Sequence, residues 1–372
     1  MLRIMTLVGT RPELVKMSRV IAEFDKRFIH ILVHSGQNYD YELNEIFFED
    51  LDIRKPDHFL GAIGSSFAEK ISSIILLADA IFEAEKPDAL FIYGDTNTGL
   101  AAIAAKRRKI PIFHMEAGNR CFDQRVPEEL NRKVIDHLSD VNLVLTEHAR
   151  RYLLREGLPP ELVIKTGSHM PEVLSHYLPK AHDSKILDKL ELEPQGYFLV
   201  SLHREENVDN LDNMNTLVTM LAALVEKYSL PIIVSTHPRT KARISELDVS
   251  LPNVTFLPPF GFTDYIKLQL SSKCVISDSG TITEESSLLN IPAVTVRNSH
   301  ERPEGMDAGV LVMSGLTTIR LLEAVELILS QHCSDILRLP IVEDYVDKPV
   351  SIQISRIALS YVDYVRSNVW RE

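Results

Sequence analysis

A two-domain α/β protein built on parallel sheets is the fold this sequence predicts. Its 372 residues exceed what one ordinary core supports. Short β-branched runs alternate with longer helical patterns from end to end, the signature of parallel strands covered on both faces. Polar turns follow several of those runs, at the strand ends where doubly wound sheets place ligands.

In the first half, Arg3–Val8, Phe28–His34, Ala89–Tyr93, Ile110–Met115 and Val141–Leu145 read as strands, from their β-branched and aromatic content. Leu14–Phe24, Phe67–Glu85, Leu100–Arg107 and Glu128–Leu138 carry the helical period between them. The second half repeats the rhythm. Its strands are Tyr197–Leu202, Pro231–Thr236, Val254–Leu257, Cys274–Ser277 and Ala293–Arg297; its helices are Leu211–Tyr228, Asp264–Leu270, Thr283–Leu289 and Thr317–Ser330. A polar, proline-containing stretch between Thr166 and Pro194 marks the expected boundary. The expected division is 1–170, then 171–351, with 352–372 as a final helix, and a cleft between the two domains facing their strand ends.

Composition narrows the function. The formal net charge is -12, which disfavours nucleic acid or an anionic membrane surface as partner. An anionic ligand must then be held by a local constellation. Three cysteines, Cys121, Cys274 and Cys333, show no metal-ligand spacing, and their odd number argues against a disulfide framework. No apolar run reaches the roughly 20 residues of a membrane helix, and Met1 leads straight into a strand pattern. The expectation is a reduced, cytoplasmic protein.

Five turns carry chemistry at strand ends: Gly9-Thr10-Arg11, Gly94-Asp95-Thr96, Glu116, His203-Arg204-Glu205-Glu206 and Asp278-Ser279-Gly280-Thr281. The last precedes a helix, so free backbone N–H groups and a helix dipole there suit an anion. Ordinary capping by Ser or Thr, completed by Glu284 or Glu285, would leave the same trace. Arg11 opposes the dipole of the helix it opens, a placement that makes sense if it reaches a phosphate; a surface pair with a nearby carboxylate is the alternative. His203 stands at a predicted mouth, where a histidine serves phosphate or proton chemistry, although most buried histidines simply bond a carbonyl. Asp95 and Glu116 end neighbouring strands and suit general acid/base work; their bland roles would be helix capping and an ion pair with Arg120. No two glycines flank a single residue, so no nicotinamide or flavin fingerprint exists. Leu100 stands where a phosphate loop needs lysine, and no nucleophile elbow appears.

The run GTRPELVKM (9–17), GDTNT (94–98), HMEAG (114–118), PEELNR (127–132), LHREEN (202–207), DSGTITEE (278–285) and ERPE (301–304) resembles the non-hydrolysing UDP-N-acetylglucosamine 2-epimerase family over nearly the whole chain. The resemblance implies two Rossmann-like domains in a glycosyltransferase-B arrangement, with the helix around Ile352–Tyr364 returning to the first domain. It implies a cytoplasmic homodimer acting on a UDP-linked 2-acetamido sugar, with neither metal nor cofactor. UDP would leave as the C2 proton is removed, then re-add with the proton returned on the other face. Asp95, Glu116 and Glu128 match the family's acid/base carboxylates. Arg11, His203, Ser279 and Gly280 match diphosphate contacts, Thr281 completes that turn, and Glu285 matches the ribose contact. Lys16, Arg132 and Arg302 match further basic positions, Arg132 balancing Glu116 and Glu128; Glu129 reads as a solvated helix residue.

The family's HVEAGLRT is here HMEAGNRC, DSGG is DSGT, and the usual His-Arg after Gln37 is Asn38-Tyr39, which puts allosteric activation in doubt. GNRCFDQ together with SGQNYDYELN resembles the branch forming UDP-N-acetyl-L-fucosamine from its L-talose epimer, for capsule or O-antigen. The rival readings are a retaining glycosyltransferase of the same fold, a hydrolysing epimerase, and a catalytically silent UDP-sugar sensor.

Overall fold

The computed structural model describes residues 1–36, 48–202, 211–236, 251–332 and 341–371. It separates into two compact units, Met1–His176 with Asp344–Glu372, and Tyr177–Glu343. The division falls inside a helix, Met170–His182. Prolines at 171 and 179 concealed that helix: Pro171 lies in its first turn, where the missing N–H costs least, and Pro179 lies inside it.

The first unit holds seven parallel strands in the order β3-β2-β1-β4-β5-β6-β7. They are β1 (Arg3–Val8), β2 (Ile29–His34), β3 (His58–Phe59), β4 (Ala89–Tyr93), β5 (Ile112–Met115), β6 (Val141–Val144) and β7 (Val163–Lys165). The sequence yields five of these. The edge strands β3 and β7 have two and three residues, too few for any period to register. The central strands are continuous apolar runs because helices cover both faces. Phe91 on β4 and Phe113 on β5 stack with centroids 4.5 Å apart, and Phe24 from helix Arg11–Arg27 meets Phe91 edge-on at 4.9 Å. The last helix, Val350–Val365, buries Val350, Ile354, Ala358, Val362 and Val365 at near-helical spacing and packs on helix Arg11–Arg27.

The second unit holds six parallel strands, β10-β9-β8-β11-β12-β13. These are β8 (Phe198–Leu202), β9 (Ile232–Thr236), β10 (Val254–Leu257), β11 (Cys274–Ser277), β12 (Ala293–Thr295) and β13 (Val312–Met313). The two doubly wound α/β sheets are the predicted fold class. Each reverses its strand order once, at β1/β4 and at β8/β11. Ligands bind in such sheets beyond the strand carboxyl ends at that reversal. The turns carrying Arg11 and Asp95 follow β1 and β4, and the Ser279 turn follows β11. Among the described residues, no helix is long and apolar enough to cross a membrane.

The aromatic stack makes the first core sensitive to truncation. Phe91→Ala is expected to destabilise the first unit by about 3 to 5 kcal/mol, read as a lowered urea midpoint for its unfolding. A loss below about 1 kcal/mol would show that the stack carries little of the core energy.

Candidate active site

Parallel pairing sets Tyr93 opposite Met115, so the turns after β4 and β5 emerge side by side. Asp95 and Glu116 stand on those turns. Glu116 has φ 63°, a left-handed conformation that costs a non-glycine residue about 1 to 3 kcal/mol and persists only where its surroundings enforce it. Backbone bonds pin both neighbours, the Met115 carbonyl accepting from Gly94 N–H and the Ala117 N–H donating to the Leu143 carbonyl. The side chain is held as well, with the Lys16 ammonium 2.6 Å from one Glu116 oxygen and the Asn119 amide donating to the other at 3.3 Å. The side chains of Lys16 and Glu116 are only 5% and 13% exposed, so little water competes for the pair. Lys16 also lies over the Tyr93 ring, 5.5 Å from its centroid.

Asp95 has its own cation. Arg132 Nε donates to its carboxylate at 2.8 Å, and Nη2 lies 2.7 Å from the same oxygen. Asn131 donates to the Asp95 carbonyl and to the Asn97 side chain, both at 3.0 Å. Both residues come from helix Pro127–Leu138, whose first turn carries Glu128, half-buried, and Glu129.

Charge partners differ from the sequence reading at Glu129 and at Arg120. Glu129 is fully buried rather than solvated. It accepts from the Cys121 and Phe122 N–H groups, the Cys121 thiol and Arg132 Nη1. Burial alone would raise its carboxyl, but these donors outweigh it and hold Glu129 below the usual range. Arg132 itself bonds Asp95 and Glu129, and its Nη1 lies 3.5 Å from the Cys121 sulfur. Arg120 pairs with Asp136 and Glu156, not with Glu116. Glu128 and Glu129 sit about 100° apart on one helix, and sequence alone does not say which of them faces inward.

Two buried groups hold the turns from beneath. His114 bridges the Asp136 carboxylate, 2.8 Å from Nδ1, and the Gly94 carbonyl, 2.7 Å from Nε2. Asp136 also accepts from the Gly118 N–H. Burial would raise Asp136, but His114 and Arg120 hold it below the usual carboxylate range. Sequence reasoning passed over Glu13 as well, although Thr10 and Glu13 have capping-box spacing. Glu13 accepts from Gly9 N–H, Thr10 N–H and the Thr96 hydroxyl. Burial pushes its carboxyl up to about 7; the three donors only partly offset this, and the charge of Asp95 adds to the rise. Arg11 opens the same helix, half-buried.

In the second unit, Ser279, Gly280 and Thr281 form the turn after β11. Ser279 Oγ accepts the Thr281 N–H at 3.3 Å, and helix Ile282–Leu289 follows without a side-chain cap. The two glutamates expected to complete a cap are engaged elsewhere. Glu285 accepts from Gln269 at 2.6 Å, and Glu284 pairs with buried Arg302 at 3.2 Å. Gly280 is pressed against the Arg297–Glu301 ion pair: a Cβ there would meet Glu301 Oε1 at 2.4 Å. The predicted His203 lies outside the described residues, as do Asn38, Tyr39 and Cys333. Among the described residues, no group of three or more His, Cys, Asp and Glu could hold a metal ion.

Two parallel sheets with charged turns at their reversal points define an α/β protein of the glycosyltransferase-B fold class. A family model described as UDP-N-acetylglucosamine 2-epimerase matches residues 22–358. The curated UDP-N-acetylglucosamine 2-epimerase of Methanococcus maripaludis is 35% identical over 89% of this chain and 93% of its own length. A structure of UDP-N-acetylglucosamine 2-epimerase from Rickettsia bellii is similar with TM-score 0.94 and 57% identity, covering 100% of both chains. The structure of Methanocaldococcus jannaschii UDP-GlcNAc 2-epimerase in complex with UDP-GlcNAc and UDP is similar with TM-score 0.89 and 30% identity, covering 96% of this chain and 99% of that one. The chain belongs to the UDP-N-acetylglucosamine 2-epimerase family of isomerases.

The raised Glu13 carboxyl has a measurable sign. The fold binds this proton more tightly than the unfolded chain, so the stabilisation is complete below about pH 4.5 and is lost as pH rises to about 7. Glu13→Gln is neutral throughout. Urea midpoints taken at about pH 5 and about pH 8 should show wild type losing ground to Glu13→Gln on going to the higher pH. A constant gap between the two proteins would contradict the assignment.

Proposed function

We propose that this enzyme inverts C2 of a UDP-linked 2-acetamido sugar by eliminating and re-adding UDP. The observation that carries the reading is the placement, in a chain of this family, of Asp95 and Glu116 side by side at the carboxyl edge of the first sheet, each bonded to a buried cation. The C2 proton is weakly acidic, so its removal is coupled to departure of the neighbouring leaving group. A carboxylate takes the proton, the C2–H electron pair becomes the C1=C2 bond, and UDP leaves with the C1–O pair. Re-addition of UDP with protonation from the opposite face completes the inversion. Glu128 joins Asp95 and Glu116 as proton-transfer groups, and Lys16 and Arg132 set their charge. Arg11, His203, Ser279, Gly280 and Thr281 receive the diphosphate, Glu285 the ribose, and Arg302 supports that nucleotide site through Glu284. No metal or nicotinamide takes part.

For the sugar, we place the chain with enzymes converting UDP-2-acetamido-2,6-dideoxy-L-talose to UDP-N-acetyl-L-fucosamine, in the cytoplasm and for surface polysaccharide. What supports this is local: the departure Asn119 contacts Glu116 itself, and Cys121 contacts Glu129, the partner of Arg132.

In deuterium oxide without added cofactor, product should carry solvent deuterium at C2, followed by NMR with UDP-N-acetylglucosamine and with the L-talose sugar in parallel. Full retention of the C2 hydrogen would sink the elimination route, and faster turnover of the glucosamine sugar would remove the L-sugar assignment. Glu128→Gln should fold as wild type and Glu116→Gln should fold with lowered stability, since Lys16 loses its charged partner. Each should bind UDP yet lose about 10²- to 10⁴-fold in turnover. Near-normal turnover in both would leave them as structural charges.

A further inference from the structure

Three donors converge on Glu13 from two separate turns, and the reaction described above makes no use of it. The Gly9 and Thr10 N–H groups belong to the turn after β1, immediately before Arg11. The Thr96 hydroxyl, donating at 2.6 Å, belongs to the turn after β4, immediately after Asp95. Strands β1 and β4 are parallel neighbours, so these turns lie together at the carboxyl edge of the sheet, at the strand reversal.

A capping box accounts for the bond to Thr10, and the Gly9 N–H just before it joins the same carboxylate. The box does not account for Thr96, 83 residues away in sequence, nor for a carboxylate placed where only 3% of the residue is exposed. Burying a charge is costly unless its hydrogen bonds are satisfied, and all three of these partners are donors. The turns also touch directly. A Cβ on Gly9 would meet Thr98 Oγ1 at 2.1 Å and Ser35 Oγ at 2.3 Å, and those two hydroxyls bond each other at 2.7 Å. The glycine lets the second turn close against the first, and Glu13 then fixes the register between them.

We propose that Glu13 is a positioning residue of the active site, clamping the Asp95 turn to the Arg11 turn through the Thr96 hydroxyl. This rests on the epimerase reading, and the chemistry explains the need. C2–H and C1–O break together on adjacent carbons, so the group facing the proton and the group facing the diphosphate must share one rigid frame. Misplacement by about 1 Å in such a frame costs about 10²-fold in rate.

Thr96→Val removes the clamp while leaving both backbone bonds of Glu13 in place, and Thr96→Ser keeps the hydroxyl. In the Val variant, kcat should fall about 10- to 100-fold with KM within about twofold of wild type. Amides of residues 94–98 should exchange with deuterium oxide faster than in wild type, and the Ser variant should recover most of the turnover and the protection. Equal losses in the Val and Ser variants, or unchanged protection and kcat in the Val variant, overturn the clamp. The parent reading fails separately, if wild-type protein leaves the C2 hydrogen in place; the amide protection of Thr96→Val then still decides whether the clamp exists.

Discussion

The Lys16–Glu116 ion pair is the constraint around which the first unit's site is organised. A carboxylate at the end of a buried strand is tenable only if a cation reaches it, because breaking a buried pair leaves a charge whose isolation costs about 3 to 5 kcal/mol. The cation comes from a helix 100 residues earlier, and only the strand order places it there: that helix follows β1, and β4 and β5 lie next in the sheet. Lys16 and Asn119 hold the carboxylate from both ends, while backbone bonds at Met115 and Ala117 pin the left-handed Glu116 between them. Asp95 repeats the scheme with Arg132, so two potential bases stand together without leaving two uncompensated charges.

Beneath this layer lies a second, made of groups that fix the backbone. His114 ties the Gly94 carbonyl to Asp136, and Asp136 ties in Gly118 and Arg120, so the ends of the two turns share one buried anchor. Glu13 ties the Asp95 turn to its neighbour on the other side. The segment 114–132 is crowded with charge for this reason. Arg132 serves Asp95, Arg120 serves the anchor, and only Arg125 is a solvated surface pair, with Asp123. In the second unit the Ser279 turn is built on the same plan, with the buried Arg297–Glu301 and Arg302–Glu284 pairs around Gly280 and the helix after it.

Much of this was legible beforehand because it is local. Strand runs such as Ala89–Tyr93 and Cys274–Ser277, and the turns after them, are marked by β-branched content and Gly/Asp/Ser punctuation within a few residues. Charge partners were not legible because they are set by the tertiary fold. Glu116 looked toward Arg120 in sequence and found Lys16 in space. Glu129 looked solvated because its neighbour Glu128 was the one with a motif match, while the helix turns Glu129 inward. Two-residue strands such as β3 and β13 escape because one pairing is enough to define them and no period is needed.

The mechanism stands or falls on whether the C1–O bond opens during inversion. The direct measurement is positional isotope exchange, with ¹⁸O placed in the bridge between C1 and the β-phosphorus of the UDP-sugar. If UDP departs and returns, its β-phosphate rotates while bound and the label moves into non-bridging β-phosphate positions, alongside epimerisation. Inversion at C2 with the label held entirely in the bridge would contradict elimination and require a route in which UDP never leaves.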